Sequence, residues 1–149
     1  MGKLILLAIV LGGGFYGYKT YLYKSEAQAV YEKFSWAMRE GKCIELREVV
    51  AEESQAKEFV EEYCRPGPGN AAGFASEMAG TPQAAMTKWR SEIKSETATG
   101  DEVSLVVVDI PYGPGAMPSP TTVAPSPINA TAKLKKVGGA LKIREFAFK

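Results

Sequence analysis

The chain has 149 residues, and its 18 lysines and arginines almost balance its 17 aspartates and glutamates, for a formal net charge of +1. No long basic block occurs, so the sequence lacks the electrostatic footprint of a nucleic-acid-binding protein. Histidine is absent, which removes the commonest general base and the commonest zinc ligand. We therefore expect no nucleic-acid partner, no metal and no cofactor.

The first element is an apolar run at the amino terminus. Residues 4–18 carry no charge, and tyrosines interleaved with Lys19 follow them. A membrane-spanning helix needs about 20 mostly apolar residues. The run reaches that length if it extends to about Tyr23, because lysine ammonium groups can reach out of the lipid and tyrosine rings suit the headgroup level. This pattern predicts a single-pass membrane anchor over residues 1–24, with one soluble domain over residues 25–149.

Two other interpretations of this run stay open. A cleaved signal peptide would end at a small-x-small site, and Ala27-Gln28-Ala29 has that form, although it lies well past the apolar core. A buried core helix is the other. Within the run, Gly13 and Gly17 form a G-x-x-x-G pair. The pair either predicts a helix–helix contact in the membrane or reflects the ordinary occurrence of glycine in membrane helices.

Two helical segments follow the predicted anchor. Apolar residues recur at helical spacing over residues 25–40, where Gly41 then acts as a C-cap, and again over residues 44–63. Cys43 and Cys64 flank the second segment, and in an exported domain they are expected to form a disulfide, because disulfides persist in oxidising compartments. Two free thiols would instead indicate a cytosolic domain.

The period of the apolar pattern changes in the second half of the chain. The remaining predicted elements are a short helix over residues 71–79, strands over residues 89–97, 103–110, 128–137 and 140–148, and a proline-rich loop over residues 111–127. Thr99-Gly100-Asp101 and Gly138-Gly139 are turn signals between strand pairs. The sequence thus predicts an α+β domain, with helices packed on a curved, cone-like antiparallel sheet of about four strands.

The helix that ends in FSWAMREGK, the strand pairs and the closing VGGALKIREFAFK resemble the nuclear transport factor two-like superfamily, in particular its small membrane-anchored or exported bacterial members. The resemblance covers residues 25–149. It implies a cone with a pocket between sheet and helices, and enzymes on this fold use a His–Asp or Tyr–Asp pair to move protons. In this chain only Asp109 and Tyr112 offer such chemistry near the sheet, with Trp36 and Trp89 as candidate pocket walls.

Ordinary structural roles compete with that catalytic interpretation. An aspartate at a strand end is commonly exposed, and tryptophans most often fill a core. We therefore expect no enzyme, but a single-pass protein of the inner (cytoplasmic) membrane whose extracytoplasmic, periplasmic domain acts as a non-catalytic interaction or assembly subunit. Its expected partners are the lipid bilayer and either another protein or a second copy. The alternatives are a pilin-like filament subunit and a small-molecule-binding domain that uses the cone pocket.

Overall fold

The structure is a computed structural model that describes residues 24–121 and 123–149. The predicted anchor, with Gly13 and Gly17, lies outside these residues, apart from Lys24. No helix within the described ranges is long and apolar enough to span a bilayer.

The described residues form helices that pack on an antiparallel sheet of strand order β1-β2-β3-β4. The helices are α1 (Glu26–Glu40), α2 (Cys43–Val49), α3 (Gln55–Tyr63), α4 (Ala71–Ala79) and α5 (Pro82–Met86), and the strands are β1 (Lys88–Thr99), β2 (Glu102–Tyr112), β3 (Ile128–Val137) and β4 (Ala140–Phe148). The predicted α+β class and four-stranded sheet are therefore confirmed. Two short elements were not predicted, namely α5 and a 3₁₀ helix over Pro114–Ala116.

Helix α1 is bounded by the residues that the sequence indicates. The Ser25 side chain accepts a hydrogen bond from the Gln28 amide at 3.1 Å, as an N-cap does. Gly41 ends the helix in the left-handed conformation, with φ of 66°. A Cβ atom at Gly41 would also lie 2.2 Å from the carbonyl oxygen of Ala72, so only glycine allows α4 to pack this closely on the end of α1.

The single helix predicted over residues 44–63 is wrong, because the chain breaks between α2 and α3. Val50 forms a parallel bridge with Ile143, and the Ala51 amide donates to the Ile143 carbonyl at 2.8 Å. Ser54 then caps α3 by accepting from the Lys57 amide at 3.1 Å. The break therefore covers the free edge of β4, which would otherwise expose unpaired backbone groups.

The disulfide predicted from the sequence is present. It joins Cys43 at the start of α2 to Cys64 just after α3, with a Cα–Cα distance of 5.9 Å. The bond fixes the two helices to each other at the end where the Pro-Gly segment after Cys64 begins.

The core lies between α1, α2, α3 and the inner face of the sheet. Its largest fully buried side chains are Tyr31, Phe34, Leu46, Val60, Leu105, Val107, Asp109, Leu134 and Ile143. All but two of these are aliphatic or phenyl groups. Asp109 and Tyr31 are the exceptions, and they lie together.

The domain has two distinct ends. At the turn end, which comprises residues 24–26, 99–102 and 135–141, the start of α1 meets both hairpin turns. There Ser25 Oγ donates to Glu96 Oε2 at 2.7 Å, and the Leu141 amide donates to Glu26 Oε1 at 3.1 Å. At the loop end, the close of α1 packs on α4, and α5 packs on the 3₁₀ helix of the proline-rich loop.

Replacing both Cys43 and Cys64 by serine is expected to lower the free energy of unfolding by about 3 kcal/mol. The bond spans 21 positions in sequence, and opening a loop of that size returns chain entropy to the unfolded state. Urea unfolding of the full-length protein in a mild detergent measures this loss. A reductant should bring the wild-type midpoint to that of the double variant and leave the variant unchanged, whereas equal midpoints without reductant would contradict the prediction.

Candidate functional site

Asp109 is the only buried acidic residue in the part of the chain that the structure describes. It lies on the inner face of β2, directly across from Ser91 on β1, and is 1% exposed. A carboxylate in such a place needs hydrogen-bond donors, because burial removes its water at a high free-energy cost.

Four side chains surround the Asp109 carboxylate. Ser91 Oγ donates to Oδ1 at 2.5 Å, while Ser35 Oγ and Tyr31 OH donate to Oδ2 at 2.5 Å and 3.1 Å. Arg39 Nη1 lies 3.5 Å from Oδ2 and donates to Ser35 Oγ at 2.6 Å. Both carboxylate oxygens thus accept hydrogen bonds, and the guanidinium supplies the opposite charge. We refer to these five residues as the Asp109 cluster.

The spacing of three cluster residues along α1 explains how they meet. Tyr31, Ser35 and Arg39 are four residues apart in succession, so they lie on one face of the helix. Tyr31 and Ser35 are buried, whereas the Arg39 side chain keeps 27% of its surface exposed. The cluster therefore runs from the core outward to the surface.

Burial and nearby charge shift the pKa values of the two ionisable partners of Asp109, which are Tyr31 and Arg39. Burial raises the pKa of Tyr31 well above its usual value, and the negative charge of Asp109 and its hydrogen bond raise it further. Burial lowers the pKa of Arg39, and the Asp109 charge opposes that shift. Tyr31 consequently serves as a neutral donor, and Arg39 remains the cation of the pair at neutral pH.

Arg39 connects the cluster to an aromatic surface. Its guanidinium carbon lies 4.9 Å from the ring centroid of Trp89, within the range of a cation–π interaction. Beside this stack is an open cavity of about 580 Å³, with Trp36 and Tyr112 also in its wall. The rest of its lining is polar, namely Lys24, Gln28, Glu32, Glu40, Thr87, Lys88, Arg90 and Ser91.

A second groove, of about 290 Å³, lies on the other side of the same stack. It shares Arg39, Glu40, Thr87 and Trp89 with the first cavity. Its other lining residues are the polar Thr81 and Gln83 and the apolar Met78, Ala79, Ala84, Val123 and Pro125. The two spaces together present a surface that is polar and aromatic on one side of Arg39 and apolar on the other.

No protein-family model and no curated protein sequence matches the chain. Among solved structures, a candidate ketosteroid isomerase from Shewanella frigidimarina superposes with a TM-score of 0.55 at 15% sequence identity, over 85% of this chain and 96% of that protein. The domain has the nuclear transport factor two-like fold.

Two further structures are similar at lower scores. A nuclear transport factor two-like protein of unknown function from Silicibacter pomeroyi is 14% identical, over 81% of this chain and 89% of that one, with a TM-score of 0.49. A de novo designed protein with a curved β-sheet is 19% identical, over 82% and 97%, with a TM-score of 0.42. At 15% identity the likeness to the Shewanella frigidimarina structure shows the fold and not an activity.

The structure places the four pocket residues predicted from the sequence in two different settings. Trp36, Trp89 and Tyr112 line one cavity at the surface of the nuclear transport factor two-like domain. Asp109 lies behind that wall and is buried, so the expectation of an ordinary exposed aspartate is wrong. Trp36 is 43% exposed, so the expectation that it fills the core is also wrong.

Sequence reasoning missed most of the side chains around Asp109. Tyr31, and not Tyr112, is the tyrosine that is hydrogen-bonded to it. Ser35 carried a usable signal, because it is a polar residue between Tyr31 and Arg39 on a helix face that is otherwise apolar. Ser91 carried none, since its place opposite Asp109 depends on the pairing register of β1 with β2.

Arg39 directs one nitrogen inward to Ser35, and its partly exposed side chain lies with Trp36 and Trp89 in the wall of the cavity. The described residues contain no group of three or more histidine, cysteine or acidic side chains placed to hold a metal ion.

Changing Asp109 to asparagine is expected to destabilise the domain by about 2–4 kcal/mol. The substitution keeps the size of the side chain but leaves the half-buried Arg39 without its counter-charge and turns an acceptor into a donor. Urea unfolding of the full-length protein in detergent measures the change.

The matched control is Asp101→Asn, which makes the same chemical change at an exposed hairpin turn. That variant should stay within about 0.5 kcal/mol of wild type. Equal effects of the two substitutions would contradict the role given to the Asp109 cluster.

Proposed function

We propose that the protein is a single-pass, membrane-anchored subunit whose nuclear transport factor two-like domain lies on the extracytoplasmic side of the inner membrane. There it binds another protein and catalyses no reaction. The enclosure of Asp109 is the observation that carries the non-catalytic part of this proposal. A general base must lie within hydrogen-bond reach of the proton that it abstracts, whereas Asp109 is 1% exposed and both of its oxygens accept hydrogen bonds within the domain.

The packing of the interior supports the same conclusion. Enzymes on this fold place their substrate between the helices and the sheet. In this chain that space holds Tyr31, Phe34, Leu105 and Val107, each at most 1% exposed. A substrate could reach Asp109 only if the Asp109 cluster opened, which would leave several buried polar groups without partners.

The membrane part of the proposal rests on the apolar run of residues 4–18 and on its flanking lysines and tyrosines. The extracytoplasmic placement rests on the Cys43–Cys64 disulfide, because such bonds form and persist in oxidising compartments and are rare in the cytosol.

An apolar surface at the loop end supports a protein partner. Phe74 and Met78 lie one turn apart on α4 and are 64% and 49% exposed. Met78 and Val123 line the smaller groove, and Val123 is 90% exposed. Exposed apolar side chains that cluster in this way mark interaction sites. The partner that fits is an apolar segment of another protein. Residues at the ends of that segment can contact the polar cavity on the other side of Arg39.

The proline-rich loop contributes to this surface, and it is hydrogen-bonded to α5. Gln83 Nε2 on α5 donates to the carbonyl oxygens of Gly115 at 3.4 Å and Val123 at 3.0 Å. A Cβ atom at Gly115 would lie 2.3 Å from the Gln83 carbonyl oxygen, so the loop packs directly on α5.

A photo-crosslinking amino acid at position 123 of the full-length protein, expressed in its native membrane, tests this proposal. We expect one discrete adduct with a protein other than this chain, because Val123 stands at the rim of the apolar groove. Met78→Glu should abolish the adduct by placing a charge in that groove.

The matched control position is Lys94, which is exposed on β1 away from the loop end and should give no such adduct. The same products at both positions, or none at position 123, would contradict the proposal. An adduct with a second copy of the chain alone would replace it with self-assembly.

The larger cavity favours a second candidate function, the binding of a small planar anion. Both tryptophans of the chain line it, and the exposed edge of Arg39 is the group that binds carboxylates in two-point geometry. Benzoate is a suitable probe. If this function holds, benzoate should quench tryptophan fluorescence and raise the melting temperature, and Arg39→Lys should weaken both effects.

Arg39→Lys keeps the positive charge that Asp109 requires, so it is a milder change than removal of the cation. Neutral benzamide is the matched ligand control. Equal responses to benzoate and benzamide, or responses unchanged in the variant, would contradict anion binding at this cavity.

A further inference from the structure

The chain enters the domain at the same end as both hairpin turns. Lys24 is the first described residue, and its ammonium group pairs with Glu32 of α1 at 2.7 Å. Ser25 and Glu26 bond to Glu96 and Leu141, which lie next to the β1–β2 turn and the β3–β4 turn. The two turns also bond to each other, since the Lys136 amide donates to the Asp101 carbonyl at 2.9 Å.

The stretch that joins the uncharged part of the predicted anchor to this end is short, and we call it the tether. Residues 19–23 separate the uncharged run from Lys24, and a chain of that length reaches at most about 20 Å even when fully extended. Helix α1, with 15 residues, carries the chain about 22 Å further toward the loop end. The turn end is therefore held next to the bilayer, and the loop end is held away from it.

The exposed side chains of the turn end suit a phospholipid surface. Lys135 and Lys136 are exposed and have no ion-pair partner among the described residues. Val137 is 48% exposed at the tip of the β3–β4 hairpin. Lysines of this kind attract anionic headgroups, and an apolar tip can enter the headgroup layer.

The acidic groups at this end have partners within the domain, although each keeps its negative charge. Glu26 accepts from the Leu141 amide, Glu96 accepts from Ser25, and Glu102 pairs with Arg144 at 2.7 Å. Asp101 is the remaining acid at the turns. The charges at this end therefore nearly balance, and the attraction to anionic lipid is local to the exposed Lys135 and Lys136 of the β3–β4 hairpin. Lys19 is a further cation in the preceding sequence.

We infer that the two hairpin turns form a membrane-contacting face, in which Lys135 and Lys136 bind the phosphate groups of anionic lipids and Val137 enters the headgroup layer. This inference rests on the anchor of the proposed function. It adds that the domain has a fixed orientation on the bilayer. A weak attraction suffices for this, because the tether holds the lysines at high local concentration near the lipid.

Fluorescence quenching in vesicles tests the inference. The full-length protein is reconstituted into phosphatidylglycerol vesicles that carry headgroup spin labels, with a thiol-reactive fluorophore at Val137→Cys. The native cysteines form the disulfide and leave the new thiol to react. Strong quenching is expected at position 137. A label at Met117→Cys, 68% exposed at the loop end, should stay bright. Equal quenching at the two positions would overturn the inference.

Charge substitutions give the second arm of the test. Lys135→Gln with Lys136→Gln is expected to remove roughly half or more of the quenching at position 137. Replacing the anionic lipid with phosphatidylcholine, which has no net charge, should reduce the quenching at position 137 by a similar amount. Lys42→Gln with Lys88→Gln removes two exposed lysines at the loop end and should leave the quenching unchanged. Equal effects of the two pairs would overturn the assignment to Lys135 and Lys136.

Flotation of the same vesicles separates this inference from the anchor on which it rests. A protein that does not float with the vesicles refutes the anchor. A protein that floats while position 137 stays as bright as position 117 refutes the orientation alone.

Discussion

The structure depends on the burial of one carboxylate. Asp109 lies in the core, where an ionised group is stable only if donors replace the water that it loses. Those donors come from two elements, because Tyr31 and Ser35 lie on α1 and Ser91 lies on β1, and Asp109 itself lies on a third element, β2. The requirement fixes the rotation of α1 and its position along the sheet. It also sets Arg39 over Trp89, so the wall of the surface cavity follows from the same interaction.

Much of the fold was predictable from the sequence, because local signals and the final structure agree. Strands β3 and β4 have the predicted bounds, since Gly138 and Gly139 both adopt positive φ in the two-residue turn between them. The break between α2 and α3 was not predictable in the same way. It results from the pairing of Val50 with Ile143, a contact between residues far apart in sequence. The Asp109 cluster was missed for the same reason, since its members come together only after α1 packs on the sheet.

The two ends of the domain explain how an anchored protein of this size could act. In the proposed arrangement the turn end rests on lipid, which orients the loop end toward the compartment. The loop end carries the exposed apolar groove around Met78 and Val123, and the aromatic cavity around Arg39 extends from there along α1 to Lys24. The Asp109 cluster lies between the two ends and holds α1 in place along its length. The loop end, where a partner binds, and the turn end, which contacts lipid, are thus connected through α1.

A double-mutant cycle between Asp109 and Arg39 tests the central claim most directly. The free energy of unfolding is measured for wild type, Asp109→Asn, Arg39→Gln and the double variant, all as full-length protein in the same detergent. If the two residues form one cluster, removing Arg39 should cost less once Asp109 is neutral, with a coupling of at least about 1 kcal/mol. Strictly additive costs would mean that the pair does not organise the packing of α1, and would contradict this account.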